Sequence, residues 1–105
     1  MINIKDLTGR YLKKTLGAKS ASFRYHNRNK SGGNFGIDVR GVNGLDYELN
    51  GDYNVEGNVK WVGFGKIYWT RGNHQPQTLE ELEALMWCKI EQIEDQESKT
   101  IKKIA

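Results

Sequence analysis

At 105 residues the chain is long enough for one modest hydrophobic core and too short for two, and its net charge of +3 permits nucleic-acid binding without demanding it. Three Trp, five Tyr and three Phe exclude a disordered chain, because disordered segments lack the aromatic surface that offsets ordering entropy. No apolar run approaches the ~20 residues that span a bilayer. The opening Met1–Asp6 lacks the apolar region of a secretory signal, and Cys88, the sole cysteine, has no internal disulfide partner. A single cytoplasmic domain over residues 1–105, with no membrane contact, is therefore expected.

The first element in the chain is a short helix. Ile4, Leu7, Tyr11, Leu12 and Leu16 recur at helical spacing, Thr8 suits the N-cap of a tighter version beginning at Gly9, and Gly17 suits the stop. From Ser20 the period changes to two, with Ala21, Phe23 and Tyr25 on one face and Ser22, Arg24, His26 and Arg28 on the other. A second alternating run follows, with Phe35, Ile37 and Val39 opposed to Asp38 and Arg40. Matching the two apolar faces requires a loop with an odd number of residues. A turn centred near Gly32 would place His26 opposite Asp38.

Asn43-Gly44 and Asn50-Gly51 both read as turns, separating two further strands at Leu45–Leu49 and Tyr53–Val55 whose outer face is acidic. Residues 58–70 are rich in β-formers, and the glycines at 63 and 65 suggest a bulge or a break between two short strands. After the polar loop Arg71–Gln77, Thr78-Leu79-Glu80-Glu81 has the form of a capping box. Leu79, Leu82, Met86, Ile90 and Ile93 then form one stripe of a helix expected over about 79–96, with residues 97–105 a frayed basic tail. The fold class is α+β: an antiparallel sheet of four to five strands, with a short N-terminal helix and a long C-terminal helix packed on one face.

Charge alternates in blocks along this order. Residues 1–17 and 19–40 are net positive, 45–57 negative, 60–71 positive, 78–97 strongly negative and 98–105 positive.

Catalytic and cofactor motifs are absent. One cysteine and two distant histidines, His26 and His74, do not make a zinc site, and no cofactor is expected. Ser31-Gly32-Gly33-Asn34-Phe35-Gly36 joins two strands instead of feeding a helix, so its glycines serve a hairpin tip and not a phosphate loop. Cys88 lies among carboxylates that disfavour a thiolate, and Asp46 and Glu48 read as a solvated sheet face.

The residues that stand out are binding candidates: Arg24, His26, Arg28, Lys30, Arg40, Arg71, His74 and Trp87. Trp, Tyr and Arg are the usual interface anchors, and Trp87 lies off the centre of its helix stripe. Charge blocks of alternating sign favour oriented docking on a protein or protein–nucleic-acid partner. The expected function is thus a small non-catalytic binding protein, an inhibitor or adaptor of the type phages and mobile elements use to block host machinery. The first alternative is nucleic-acid binding through the basic hairpin. The second is a small metal-independent RNase using His26 as acid or base, with Arg24 and Arg28 stabilising the phosphorane.

Overall fold

The structure is a computed structural model that describes residues 1–68, 70 and 72–104, with side chains described through residue 99. Trp69 and Arg71 lie outside the described residues. The chain order is a single 3-10 turn (Ile4–Asp6), α1 (Gly9–Leu16), β1 (Ser20–Asn29), β2 (Gly32–Val42), β3 (Leu45–Tyr53), β4 (Val59–Lys66) and α2 (Leu79–Ile104). The four strands form one antiparallel sheet in sequence order.

Helix α1 starts and stops where its capping residues dictate. The Thr8 hydroxyl accepts the Tyr11 N–H at 3.0 Å, and Gly17 closes the helix at φ 64°, a left-handed conformation that glycine adopts at no steric cost. Ile4 belongs to the separate 3-10 turn, and Leu7 caps it. This turn is pinned to the β3–β4 connection, because the Ile4 N–H donates to Gly57 O at 2.7 Å and Asn3 Nδ2 donates to Glu56 O at 3.1 Å.

The β1–β2 hairpin resolves its register problem differently from the expectation. Its loop is only the two residues Lys30 and Ser31, since Asn29 pairs with Gly32. A two-residue loop alone would put the apolar faces out of phase. A bulge between Phe23 and Tyr25 absorbs the odd residue, Arg24, so that Ala21 and Phe23 pair with Val39 and Ile37. Beyond the bulge the alternation is inverted: His26 pairs with Phe35 instead of Asp38, and Tyr25 sits over Gly36 on the opposite face.

Asn43-Gly44 is a tight turn with positive φ at both residues, as its sequence indicates. Asn50-Gly51 is not a turn. It lies within β3, and the chain reverses later, at 54–58, where Asn54 Oδ1 accepts the N–H groups of Glu56 and Asn58. Gly51 is small for another reason: a Cβ there would strike the Trp61 carbonyl and press on the Phe35 ring. Likewise Gly63 and Gly65 lie in the regular part of β4, whose irregularity falls between Val59 and Trp61.

Helix α2 begins at the expected Leu79. The Thr78 hydroxyl accepts the Glu81 N–H at 3.1 Å, while the Glu81 carboxylate reaches back to the Gln77 N–H at 2.7 Å. The helix continues past residue 96 to Ile104, which contributes to a long molecule of 52 × 23 × 23 Å.

One core unites the layers. Leu12 and Leu16 of α1, and Leu82, Met86 and Ile90 of α2, pack with Phe35, Ile37, Val39, Tyr47, Leu49, Tyr53, Val62 and Phe64 on one sheet face. Helix α1 packs on β1 and β2, and α2 on β4. Among the described residues no helix is long and apolar enough to cross a membrane.

Candidate binding surface

The bulge at Arg24 sends the two halves of β1 to different surroundings. Arg24 itself joins the sheet face away from the helices. Its guanidinium contacts Asp38 at 2.5 Å and Glu48 at 2.9 Å, and it lies 4.3 Å over the Tyr68 ring. Arg40 completes the cluster with Asp38 at 3.4 Å and Asp46 at 3.2 Å. The hydrogen bond to Asp38 is the main cause that raises the Arg24 pKa. Glu48 is only 5% exposed, and Asn50 Nδ2 donates to its second oxygen at 2.8 Å. The basic hairpin and the acidic hairpin thus neutralise one another on this face, which leaves Arg24 and Arg40 paired with carboxylates of the sheet.

His26 and Arg28 lie on the helix-facing side, at the open margin of the core. His26 Nε2 is 2.7 Å from the Tyr53 hydroxyl, and its ring stacks on Phe23 at 5.0 Å. Both residues line a cleft of about 360 Å³ whose other walls are Phe23, the N-terminal residues Asn3, Ile4, Lys5, Leu7 and Thr8, and the Glu56–Gly57 turn. Phe23 is 40% exposed, and Tyr25 on the opposite face is 38% exposed, so an aromatic ring flanks β1 on each side.

The remaining candidates are scattered. Lys30 is at the hairpin tip. His74 is at the far edge, where its backbone exchanges hydrogen bonds of 2.8 and 2.9 Å with Val62 and so occupies the β4 margin. Trp87 is half-buried against the core from α2. The structure therefore brings together His26 and Arg28, and Arg24 and Arg40, and leaves Lys30, His74 and Trp87 apart, while Arg71 lies outside the described residues. Among the described residues no group of His, Cys, Asp and Glu could hold a metal ion.

Lys5 and Phe23 of the cleft were not singled out by the sequence. Lys5 reaches the site only because the N-terminal segment docks on the β3–β4 turn, a contact between residues more than fifty positions apart that no local pattern encodes.

Charge that alternates along the chain separates in space. Lys5, Arg10, Lys13, Lys14, Lys19, Arg28 and Lys30 all fall between the N-terminus and the tip of the β1–β2 hairpin, and none of them forms an ion pair among the described residues. Of the acids of α2, Glu97 pairs with Lys66 of β4 and Glu94 accepts from Asn43 of the β2–β3 turn at 2.7 Å. The two territories adjoin at Tyr11, whose pKa is raised chiefly by burial and further by Glu83 and Glu80.

The two sheet edges also differ. The β4 edge is partly occupied by the His74 segment, whereas every β1 residue except Ala21 is exposed. Comparison with known proteins adds no identification: no family model, curated protein or solved structure matches the chain.

Proposed function

We propose that this is a non-catalytic docking protein of inhibitor or adaptor type, and that it receives an acidic, extended segment of a partner protein along the edge of β1. The observation that carries this reading is the ten-residue edge strand itself, exposed at every residue except Ala21 and bordered by Arg28 and Lys30, which form no ion pair among the described residues. An open strand edge offers backbone donors and acceptors to an added strand, and pockets beside alternate side chains supply specificity. Phe23 and Tyr25 give apolar contact on the two faces, while Arg28 and Lys30 select an acidic partner. The size and charge pattern suit the phage and mobile-element products named above. The sole cysteine, Cys88, suits the reducing cytoplasm.

The test is affinity capture from nuclease-treated host lysate with the wild-type chain and with a Tyr25→Glu/Arg28→Glu variant. The expected result is a protein retained by the first and lost with the second, at unchanged melting temperature. Equal retention by both would remove β1 from the interface.

Nucleic-acid binding is the second reading, and the cations gathered on α1 and β1 favour it. Tryptophan fluorescence titrated with short single-stranded RNA and DNA at about 50 and 200 mM salt separates the two readings, since phosphate binding weakens steeply with salt. A nuclease draws less support, because two carboxylates already occupy Arg24. Cleavage of structureless RNA that disappears in His26→Ala would revive it.

A further inference from the structure

We infer that the cleft between β1 and the N-terminal segment is a small-molecule site for a compound joining one anionic group, phosphate or carboxylate, to a flat or apolar body. This goes beyond the docking edge, since it needs no partner protein. At about 360 Å³ the cleft falls within the ~300–1,000 Å³ of ordinary ligand pockets, and its lining divides into two chemistries.

Phe23, Ile4 and Leu7 form the apolar part. Phe23 is a large ring that the fold leaves 40% exposed although Ile37, its neighbour on β2, is fully buried. One side of that ring is occupied by the His26 stack, which also holds it in place. A flat body packing on the cleft would cover what remains exposed.

Lys5 and Arg28 form the cationic part, and neither has a carboxylate at ion-pair distance among the described residues. The acid of the lining, Glu56, accepts from Asn54 Nδ2 at 3.4 Å. His26 Nε2 is engaged by Tyr53, so Nδ1 is the nitrogen left for a ligand. Lys5 and Arg28 against Glu56 leave the walls with a net positive charge, which favours an anion.

The cleft is also preformed. Asn3 is the hub that fixes its N-terminal wall: its side chain accepts the Lys5 N–H at 3.1 Å and donates to Glu56 O and Asn58 Oδ1, while its N–H donates to Asp6 at 3.0 Å. A wall held in this way costs little further ordering on binding, which favours a small ligand.

The experiment is a calorimetric titration of the full chain with adenosine 5′-monophosphate and with 2-naphthoate. Adenosine, 2-naphthol and inorganic phosphate serve as the matched probes lacking either charge or body. At least one of the two complete probes is expected to bind with Kd below about 1 mM. The matched probes are expected to bind at least about tenfold more weakly, and a Lys5→Gln/Arg28→Gln variant to lose about tenfold. Binding of the nucleotide alone assigns the phosphate source, and binding of the naphthoate alone the carboxylate. Absence of binding by both, equal binding by the neutral probes, or undiminished binding by the double variant would overturn the inference. Both cations are exposed or at the cleft surface, so the variant is expected to fold, and a circular dichroism melt checks that it does.

Discussion

Arg24 and Arg28 are four residues apart on one strand, yet they belong to different economies of charge. Arg24 contacts Asp38 and Glu48 and carries the Tyr68 ring above it, whereas Arg28 faces a cleft and has no carboxylate partner among the described residues. The same division separates the two sides of the molecule. The β3–β4 side is tightly packed, and its buried Glu48 is answered from within by Arg24 and Asn50. The β1 side keeps a strand edge, two half-exposed aromatic rings and a series of cations available to something outside. The difference teaches that residue type is a poor guide to function here, because arginines of the same strand serve stability in one place and leave binding capacity in another.

The packed side is most sensitive at Gly51. Substitution by Ala would drive a Cβ into the Trp61 carbonyl of the neighbouring strand and against Phe35, and backbone cannot yield as a flexible side chain can. The expected loss is about 3 kcal/mol, measured by chemical denaturation. A change below about 1 kcal/mol would mean that the β3–β4 side is looser than its packing implies.

The two arginines sharpen the contrast directly. Arg24→Gln leaves Glu48 buried without its cation and should cost about 2 kcal/mol, less than a fully buried pair because the Arg24 side chain is 29% exposed. Arg28→Gln removes no ion pair or hydrogen bond among the described residues and should alter stability by no more than about 0.5 kcal/mol. Similar losses in the two variants, read from the same urea melts, would abolish the distinction between them.

Tyr47 provides an effect of opposite sign. Its hydroxyl is buried without a hydrogen-bond partner among the described residues, and burial, with Glu94 and Glu97 nearby, pushes its pKa up to about 12. The unfolded chain therefore ionises first: this group's contribution is intact below pH 10.0 and declines as pH rises toward about 12. Tyr47→Phe removes an unsatisfied polar atom and should raise stability by about 1 kcal/mol at neutral pH. It should also flatten, without abolishing, the alkaline decline, since Tyr11 and Tyr25 are shifted upward as well. An unchanged alkaline profile in the variant would assign the decline to those other tyrosines.

What could be read in advance depended on the range of the interactions. The caps of both helices, at Thr8, Gly17 and Thr78, and the Asn43-Gly44 turn were legible because each is settled by residues within a few positions. The core stripe of α2 was legible for the same reason: Leu82, Met86 and Ile90 follow the helical period and are buried. Asn50-Gly51 misled because the identical dipeptide signal arises when a glycine makes room for a neighbour across the sheet, here Phe35. Of the candidate site, His26 and Arg28 were named, but the sharing of a cleft with Lys5 and Phe23 was not.

The sequence by itself determined the α+β class, the helix–strands–helix order and the core stripes of β2 and α2, since periodicity and capping are local and the hydrophobic effect acts on their sum. Tertiary structure alone decided which face each β1 side chain takes, because a single bulge inverts every residue beyond it. It also decided which cations are neutralised and which stay available, because Coulomb interactions follow distance through space and not separation along the chain.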